Sequence, residues 1–136
     1  MKRITFEMPI FTFQIDFAGV VSNIVYIQWM EIGRNKLLEA TGFPVYQLVN
    51  DGIIPVLVST EITYKKPLCL GDSVRVETWV SKIKGARARI EIRFYNGEGI
   101  LVASRFHRGL FVDKNNRPLR ITHDLRAAFS PYLGEE

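Results

Sequence analysis

The chain has 136 residues, 47% of them apolar and 24% charged, and a formal net charge of +4. That length holds one domain with a real core but not two, and the proportions exclude a disordered or low-complexity protein. No window reaches the roughly 18 apolar residues of a membrane span, Glu7 and Pro9 break the N-terminal apolar run, and the single cysteine, Cys69, allows no internal disulfide and no cysteine-rich zinc site. A cytoplasmic protein without a membrane partner is expected, and the positive balance favours an anionic partner without choosing among nucleic acid, an acidic carrier protein and a phosphorylated cofactor.

The opening "ITFEMPIFTFQI" reads as one strand or two, broken near Pro9. Between Asn23 and Thr41 the period changes: Tyr26, Met30, Gly33, Leu37 and Ala40 recur by threes and fours as one face of a helix of about five turns, with Trp29 beside the stripe. Ser22 or Asn23 can cap its start, and Gly42 stands where a left-handed residue ends a helix. Gly33 costs about 1 kcal/mol relative to alanine in an exposed helix, so close packing against a sheet is expected to offset it. A second helix surface, Ile27, Glu31, Arg34 and Leu38, mixes apolar and charged groups, with Glu31 placed to pair with Arg34.

Downstream the period is two. Val56, Val58, Thr60, Ile62 and Tyr64 fall on one side of a strand, and Val74, Val76, Thr78 and Val80 on one side of the next. In "ARARIEIRFY", Ala86, Ala88, Ile90, Ile92 and Phe94 alternate with Arg87, Arg89, Glu91, Arg93 and Tyr95, giving one apolar and one basic face. "NGEG" at 96–99 turns this strand into "ILVASRFHRGLFVD", "PLCLGD" carries a tight turn at Gly71 and Asp72, and "THDLRAAF" adds a short helix capped by Thr122 or Asp124. The pattern predicts an α+β fold: one long helix against an antiparallel sheet of about five strands, its strands joined by hairpin-length turns, in a single domain over residues 1–136. Trp79, Ile83, Leu101 and Ala103 fall opposite the inward positions, so an apolar outer patch and a homo-oligomer that covers it are expected.

No glycine-rich phosphate loop is present, and His107 and His123 lack the partners of a metal site or a serine triad. Neither a metal nor another cofactor is expected. Asp16 remains, in the apolar loop "DFAGVVSN" that opens into the long helix. It can be a turn residue, a cap, or a reactive carboxylate beside backbone N–H groups that polarise a carbonyl oxygen.

"DFAGVVSNIVYIQWMEIGR" resembles the signature of hotdog-fold thioesterases of the 4-hydroxybenzoyl-CoA thioesterase type, through Asp16, Gly19, Val20, Val21, Tyr26, Trp29, Glu31 and Arg34. "ITYKKPLCLGD" resembles that family's later marker at Tyr64, Pro67, Gly71 and Asp72. The resemblance implies a hotdog domain of a long helix wrapped by an antiparallel sheet, with Asp16 as the catalytic carboxylate, nucleophile or general base. It implies an oxyanion held by N–H groups near Asn23 and Ile24, next to Ser22. It also implies an acyl-CoA or acyl-carrier-protein thioester as substrate, no cofactor, and a homodimer doubled to a tetramer with each acyl site between subunits.

Many bacterial relatives carry His where this chain has Asn23, so a histidine role is not carried over. "SNIVYIQW" is closer to plant acyl-carrier-protein and acyl-lipid thioesterases, which favours fatty or 3-ketoacyl chains; an aromatic acyl-CoA is the alternative substrate. A non-catalytic acyl-ligand or nucleic-acid binding module is the alternative of another class. Glu31 can orient the site or pair with Arg34. Ser59 or Thr60 can hold a water near Asp16 or be an ordinary strand hydroxyl. Arg87, Arg89 and Arg93 can meet carrier or CoA phosphates or form a solvated face; they are not interleaved with the aromatic residues a single-strand nucleic-acid site would need.

Overall fold

In the computed structural model, which describes residues 1–136, the apolar alternation becomes five strands and the three-four spacing becomes one long helix. The elements are β1 (Ile4–Met8), α1 (Asn23–Ala40), α2 (Val45–Asn50), β2 (Ile54–Tyr64), β3 (Val74–Lys84), β4 (Arg87–Asn96), β5 (Leu101–Val112) and α3 (His123–Phe129). Beyond Pro9 the chain does not resume as a strand: Thr12–Gln14 form a short 3-10 turn, with Gln14 Oε1 accepting from Phe11 N at 2.7 Å. The six-residue α2 carries no period long enough to be read from sequence.

All five strands form one antiparallel sheet in the order β1-β3-β4-β5-β2. Consecutive β3, β4 and β5 are hairpins, as the turn signals predict. Asn96 Oδ1 accepts from Glu98 N and Ile100 N, both at 3.0 Å, and Gly99 adopts φ +78° to close the second turn. β2 and β3 are not neighbours: residues 65–73 cross from one edge of the sheet to its interior, passing the start of α1, where Val21 N donates to buried Leu68 O. The expectation of hairpin turns throughout fails at this connection, because β2 pairs with β5 instead.

One face of the sheet packs on α1. Tyr26, Met30, Gly33 and Leu37 are buried as predicted and Ala40 is not, while Trp29 and Leu38 join the core from either side of the stripe. Gly33 faces Phe6 on β1 and Thr78 on β3. Val74, Val76, Thr78 and Val80 of β3 and Ile90, Ile92 and Phe94 of β4 complete the inner layer. α3, capped by Thr122 Oγ1 accepting from Leu125 N, anchors it with Leu125 and Phe129.

Three bulges redirect side chains that strict alternation misassigns. In β2 the register shifts between Leu57 and Ser59, and Val58 is exposed instead of inward while Ile62 still packs on the core. In β3 the shift between Val80 and Lys82 turns Ile83 back onto the core, and in β5 both Val102 and Ala103 are buried in it. Each extra residue inverts the faces beyond it. The predicted outer patch therefore reduces to Trp79 and half-buried Leu101. The chain's own tail covers that indole, with Trp79 Nε1 donating to Glu135 O at 2.6 Å and Arg3 stacked 4.0 Å from the ring centroid.

Candidate active site

The Asp16 loop is a closed turn. Ile15 and Val21 form an isolated bridge, Asp16 N donates to Val20 O at 2.8 Å, and Gly19, at φ +80°, returns its N–H to Asp16 O at 3.0 Å. Glycine is needed there because a Cβ disfavours the left-handed region. The Asp16 side chain completes an Asx turn, with Oδ1 accepting from Ala18 N at 2.8 Å and Val20 N at 3.5 Å. Oδ2 makes no hydrogen bond within the chain. The turn role and a chemical role are thus compatible: one carboxylate oxygen fixes the group and the other is free.

Seven residues on from Asp16, α1 begins. Ser22 is its cap, in extended conformation, with Oγ accepting from Ile24 N at a long 3.4 Å. Val25 N turns back to Ser22 O, and the Asn23 N–H has no acceptor. The first turn of an 18-residue helix thus offers one free N–H and one weakly held N–H at the positive end of its dipole, where negative charge is stabilised. Asn23 borders a surface pocket of about 240 Å³ together with Val20 and Val21 of the Asp16 loop, Tyr26, Tyr64, Lys65, Lys66 and Pro67.

Lys65 and Lys66, which no sequence motif assigned to the site, line this pocket; their only sequence signal is two adjacent cations between Tyr64 and Pro67. Tyr26, expected on the buried helix stripe and in the family signature, also lines the pocket. Burial, with Tyr64 and Cys69 nearby, pushes the Tyr26 phenol up to about 12, so it stays a neutral hydroxyl. Its ring packs edge-on against Tyr64 at 5.1 Å and against Trp29 at 5.4 Å.

The supporting residues fall elsewhere. Glu31 pairs with Arg34 at 3.5 Å, as the spacing allows, and Arg34 Nη1 also lies 3.4 Å from Nδ1 of buried His107. Burial lowers the Arg34 pKa. Burial first and the Arg34 charge second push His107 down to about 4, leaving its ring neutral with Nε2 unpartnered. Ser59, its Oγ buried and unpartnered, and exposed Thr60 lie in the middle of β2, with Ser59 five residues or about 17 Å from Tyr64. Within one chain neither stands beside the pocket.

The arginine row splits. Arg89 is bound to Glu91 at 2.7 Å and to Glu136 at 3.2 Å, and its pKa is raised chiefly by the Glu91 hydrogen bond. The Arg93 guanidinium lies 5.0 Å from the Trp79 ring centroid, while Arg87 is exposed and free of carboxylates. The outer face is therefore partly an internal ion-pair network rather than a uniformly solvated row.

Comparison with known proteins adds four findings. The family profile described as the thioesterase-like superfamily matches residues 12–129. The chain is 31% identical to YneP of Bacillus subtilis over 103 residues, which span 76% of this chain and 75% of that one. It is 29% identical over 135 residues to the chloroplastic acyl-acyl carrier protein thioesterase ATL3 of Arabidopsis thaliana, spanning 96% and 69%. In three dimensions it superposes on a DHNA-CoA thioesterase from Staphylococcus aureus with a TM-score of 0.88 and 24% identity, covering 96% of this chain and 91% of that one, which establishes the shared fold.

Proposed function

Because the chain belongs to the thioesterase-like superfamily and is a thioester hydrolase with the hotdog fold, we propose that Asp16 carries its chemistry on acyl thioesters of CoA or of an acyl carrier protein in the cytoplasm, with fatty or 3-ketoacyl chains favoured over aromatic acyl groups. The observation that carries this reading is the free Oδ2 of a carboxylate whose other oxygen is locked by its own turn, next to a helix start with an unused N–H.

As general base, Asp16 takes a proton from water as the water oxygen adds to the thioester carbonyl carbon. The carbonyl oxygen becomes an oxyanion, which the Asn23 and Ile24 N–H groups stabilise in the electrostatic field of α1. Collapse of the adduct breaks the carbon–sulfur bond, and the departing thiolate takes the proton from Asp16, leaving acid and thiol. As nucleophile, Asp16 instead adds to the carbonyl carbon and expels the thiolate to form a mixed anhydride; water then opens it, restoring the Asp16 carboxylate and releasing the acid, while the proton lost by the water goes to the thiolate. Ser22 supports either route by fixing the first turn, Asn23 by offering its amide to a carbonyl or water, and Tyr26 as a neutral hydroxyl at the pocket wall.

The site is completed by a second copy. Phe17 is fully exposed beside Asp16, Phe13 is 82% and Ile24 69% exposed, and β2 is an 11-residue edge strand with Leu57 and Val58 in solvent. A long edge with adjoining apolar side chains calls for a partner strand. Edge-to-edge pairing in a dimer, doubled to a tetramer, covers these groups and brings the Ile54 end of the partner's β2 toward the pocket.

The test is release of free thiol from aromatic, short, medium and long acyl-CoAs and from the same chains on acyl carrier protein. Asp16→Asn keeps the turn acceptor and removes the charge, so kcat should fall by roughly 10²–10⁴ with little change in melting temperature. Retention of most turnover removes Asp16 from the chemistry. Preference for aromatic acyl groups replaces the fatty-acyl assignment.

A further inference from the structure

Of the thirteen lysines and arginines outside the ion pairs, six gather on one side of the molecule. Arg3, Arg34, Arg75, Arg89 and Arg105 each meet a carboxylate. Lys82, Lys84, Arg87, Arg108, Arg120 and Arg126 are all exposed and none has a carboxylate within 4.0 Å. The first four line a groove of about 240 Å³ on the outer face of the sheet, where Arg89 and Arg108 stack over the buried Phe106 ring at 3.8 and 4.6 Å. Lys84, Arg120 and Arg126 line a second concavity where the β3–β4 turn meets the start of α3. Lys84 belongs to both, so the two form one cationic strip around the hairpin end of the molecule.

We propose that this strip is the docking surface for an acidic protein that carries the acyl chain on a flexible thioester arm, and that it serves the Asp16 site of the neighbouring subunit. The proposal rests on the thioesterase reading above and names the partner of that site. Six unpaired cations in one strip form a complementary field for an acidic helix or face, which raises encounter rate and fixes orientation. Nucleic acid fits less well: no Phe, Tyr or Trp side chain lines either concavity to stack a base, and Glu136 stands in the groove against the phosphates.

The placement in the sheet explains the arm and the second subunit together. Tyr64, at the pocket beside the α1 start, pairs through Ala103 to Phe94, and Arg87 lies seven residues or about 23 Å farther along β4. Strip and Asp16 are thus at opposite ends of one chain. Pairing β2 with the β2 of a second copy about a two-fold axis runs the strands antiparallel, so the Tyr64 end of one lies beside the Ile54 end of the other. The strip of each subunit then stands at the end of the assembly that holds the other subunit's Asp16. A carrier resting on it presents its acyl group away from its own surface, as that separation requires.

The probe is acyl carrier protein bearing a dodecanoyl thioester, measured for binding by fluorescence anisotropy and for turnover by thiol release. The charge reversal Lys84→Glu with Arg120→Glu and Arg126→Glu should weaken binding about tenfold or more. It should raise the ratio of KM for the carrier protein to KM for a dodecanoyl N-acetylcysteamine thioester by the same factor, and added salt should act likewise on the wild type. The neutral set Lys84→Gln, Arg120→Gln and Arg126→Gln should give a smaller change in the same direction. Mixed dimers of Asp16→Asn subunits with charge-reversed subunits should turn over the carrier substrate faster than either parent, because an intact Asp16 then faces an intact strip.

Unchanged carrier binding in both variant sets overturns the docking surface, and mixed dimers no faster than their parents overturn its service to the neighbour. Tighter binding of mixed-sequence duplex DNA than of carrier, lost on charge reversal, assigns the strip to nucleic acid and also overturns the proposal. If the wild type cleaves no thioester but carrier binding is still lost on charge reversal, the hydrolase reading fails while the docking surface stands.

Discussion

His107 makes the stability of this fold acid-sensitive, and the size of the effect follows from its surroundings. Its ring is 1% exposed, 3.4 Å from an arginine nitrogen, and held near a pKa of about 4 against 6.5 for an ordinary histidine. In the unfolded chain the imidazole takes a proton as the pH falls through 6.5; in the folded chain it refuses that proton until about pH 4. The unfolded state therefore binds more protons across this window, and stability is lost as the pH falls from about 6.5 toward 4. At about 1.4 kcal/mol for each unit of pKa, the full difference is worth about 3 kcal/mol.

For 136 residues the unfolding entropy near the midpoint is about 0.3 kcal/mol per kelvin, so that loss lowers the melting temperature by about 10 °C. The assay is calorimetric melting of wild type and His107→Gln at steps between pH 7.5 and 4. Carboxylate titration is common to both proteins and cancels in the difference, so the wild type should lose about 10 °C more than the variant. With only two histidines in the chain, the His107 ring proton can also be followed directly by NMR. Parallel melting curves for the two proteins, or a His107 ring that titrates near 6.5, would refute the argument.

Three other perturbations test the architecture and the site. Gly33→Ala adds a methyl group 3.6 Å from Phe6 and Thr78, an ordinary contact, and should stabilise the protein by about 0.5–1 kcal/mol through helix propensity, whereas Gly33→Leu should be strongly destabilising; chemical denaturation reads both. Glu91→Ala strips Arg89 and Ser81 of their buried acceptor and should cost about 3 kcal/mol, the lower end for a broken buried pair because Glu136 still meets Arg89. Asn23→Ala should lower kcat by about tenfold, less than Asp16→Asn, since it leaves the helix-start N–H groups in place; an equal loss would make its amide the principal oxyanion donor.

What the sequence determined by itself is what neighbours along the chain decide. Asp16 accepts from residues two and four ahead, Gly19 closes the turn, Ser22 caps the helix, and the three-four stripe chooses the buried face of α1; all of these are interactions within a few residues, so residue type and spacing encode them. Asn96, Gly97 and Gly99 at the turn from β4 to β5 encode their hairpin for the same reason. What only the tertiary structure decided depends on residues far apart. β2 leaves β3 for β5 because strand pairing is settled by the whole sheet. Single inserted residues in β2, β3 and β5 exchange inner and outer faces, which carried Ile83 and Ala103 inward and Val58 out. Arg34 lowers the pKa of His107 across 73 positions, Glu136 returns to neutralise Arg89, and Lys84 joins Arg120 and Arg126 only because α3 packs beside the β3–β4 turn. Charges act through space, and no local period records which of them the fold will bring together.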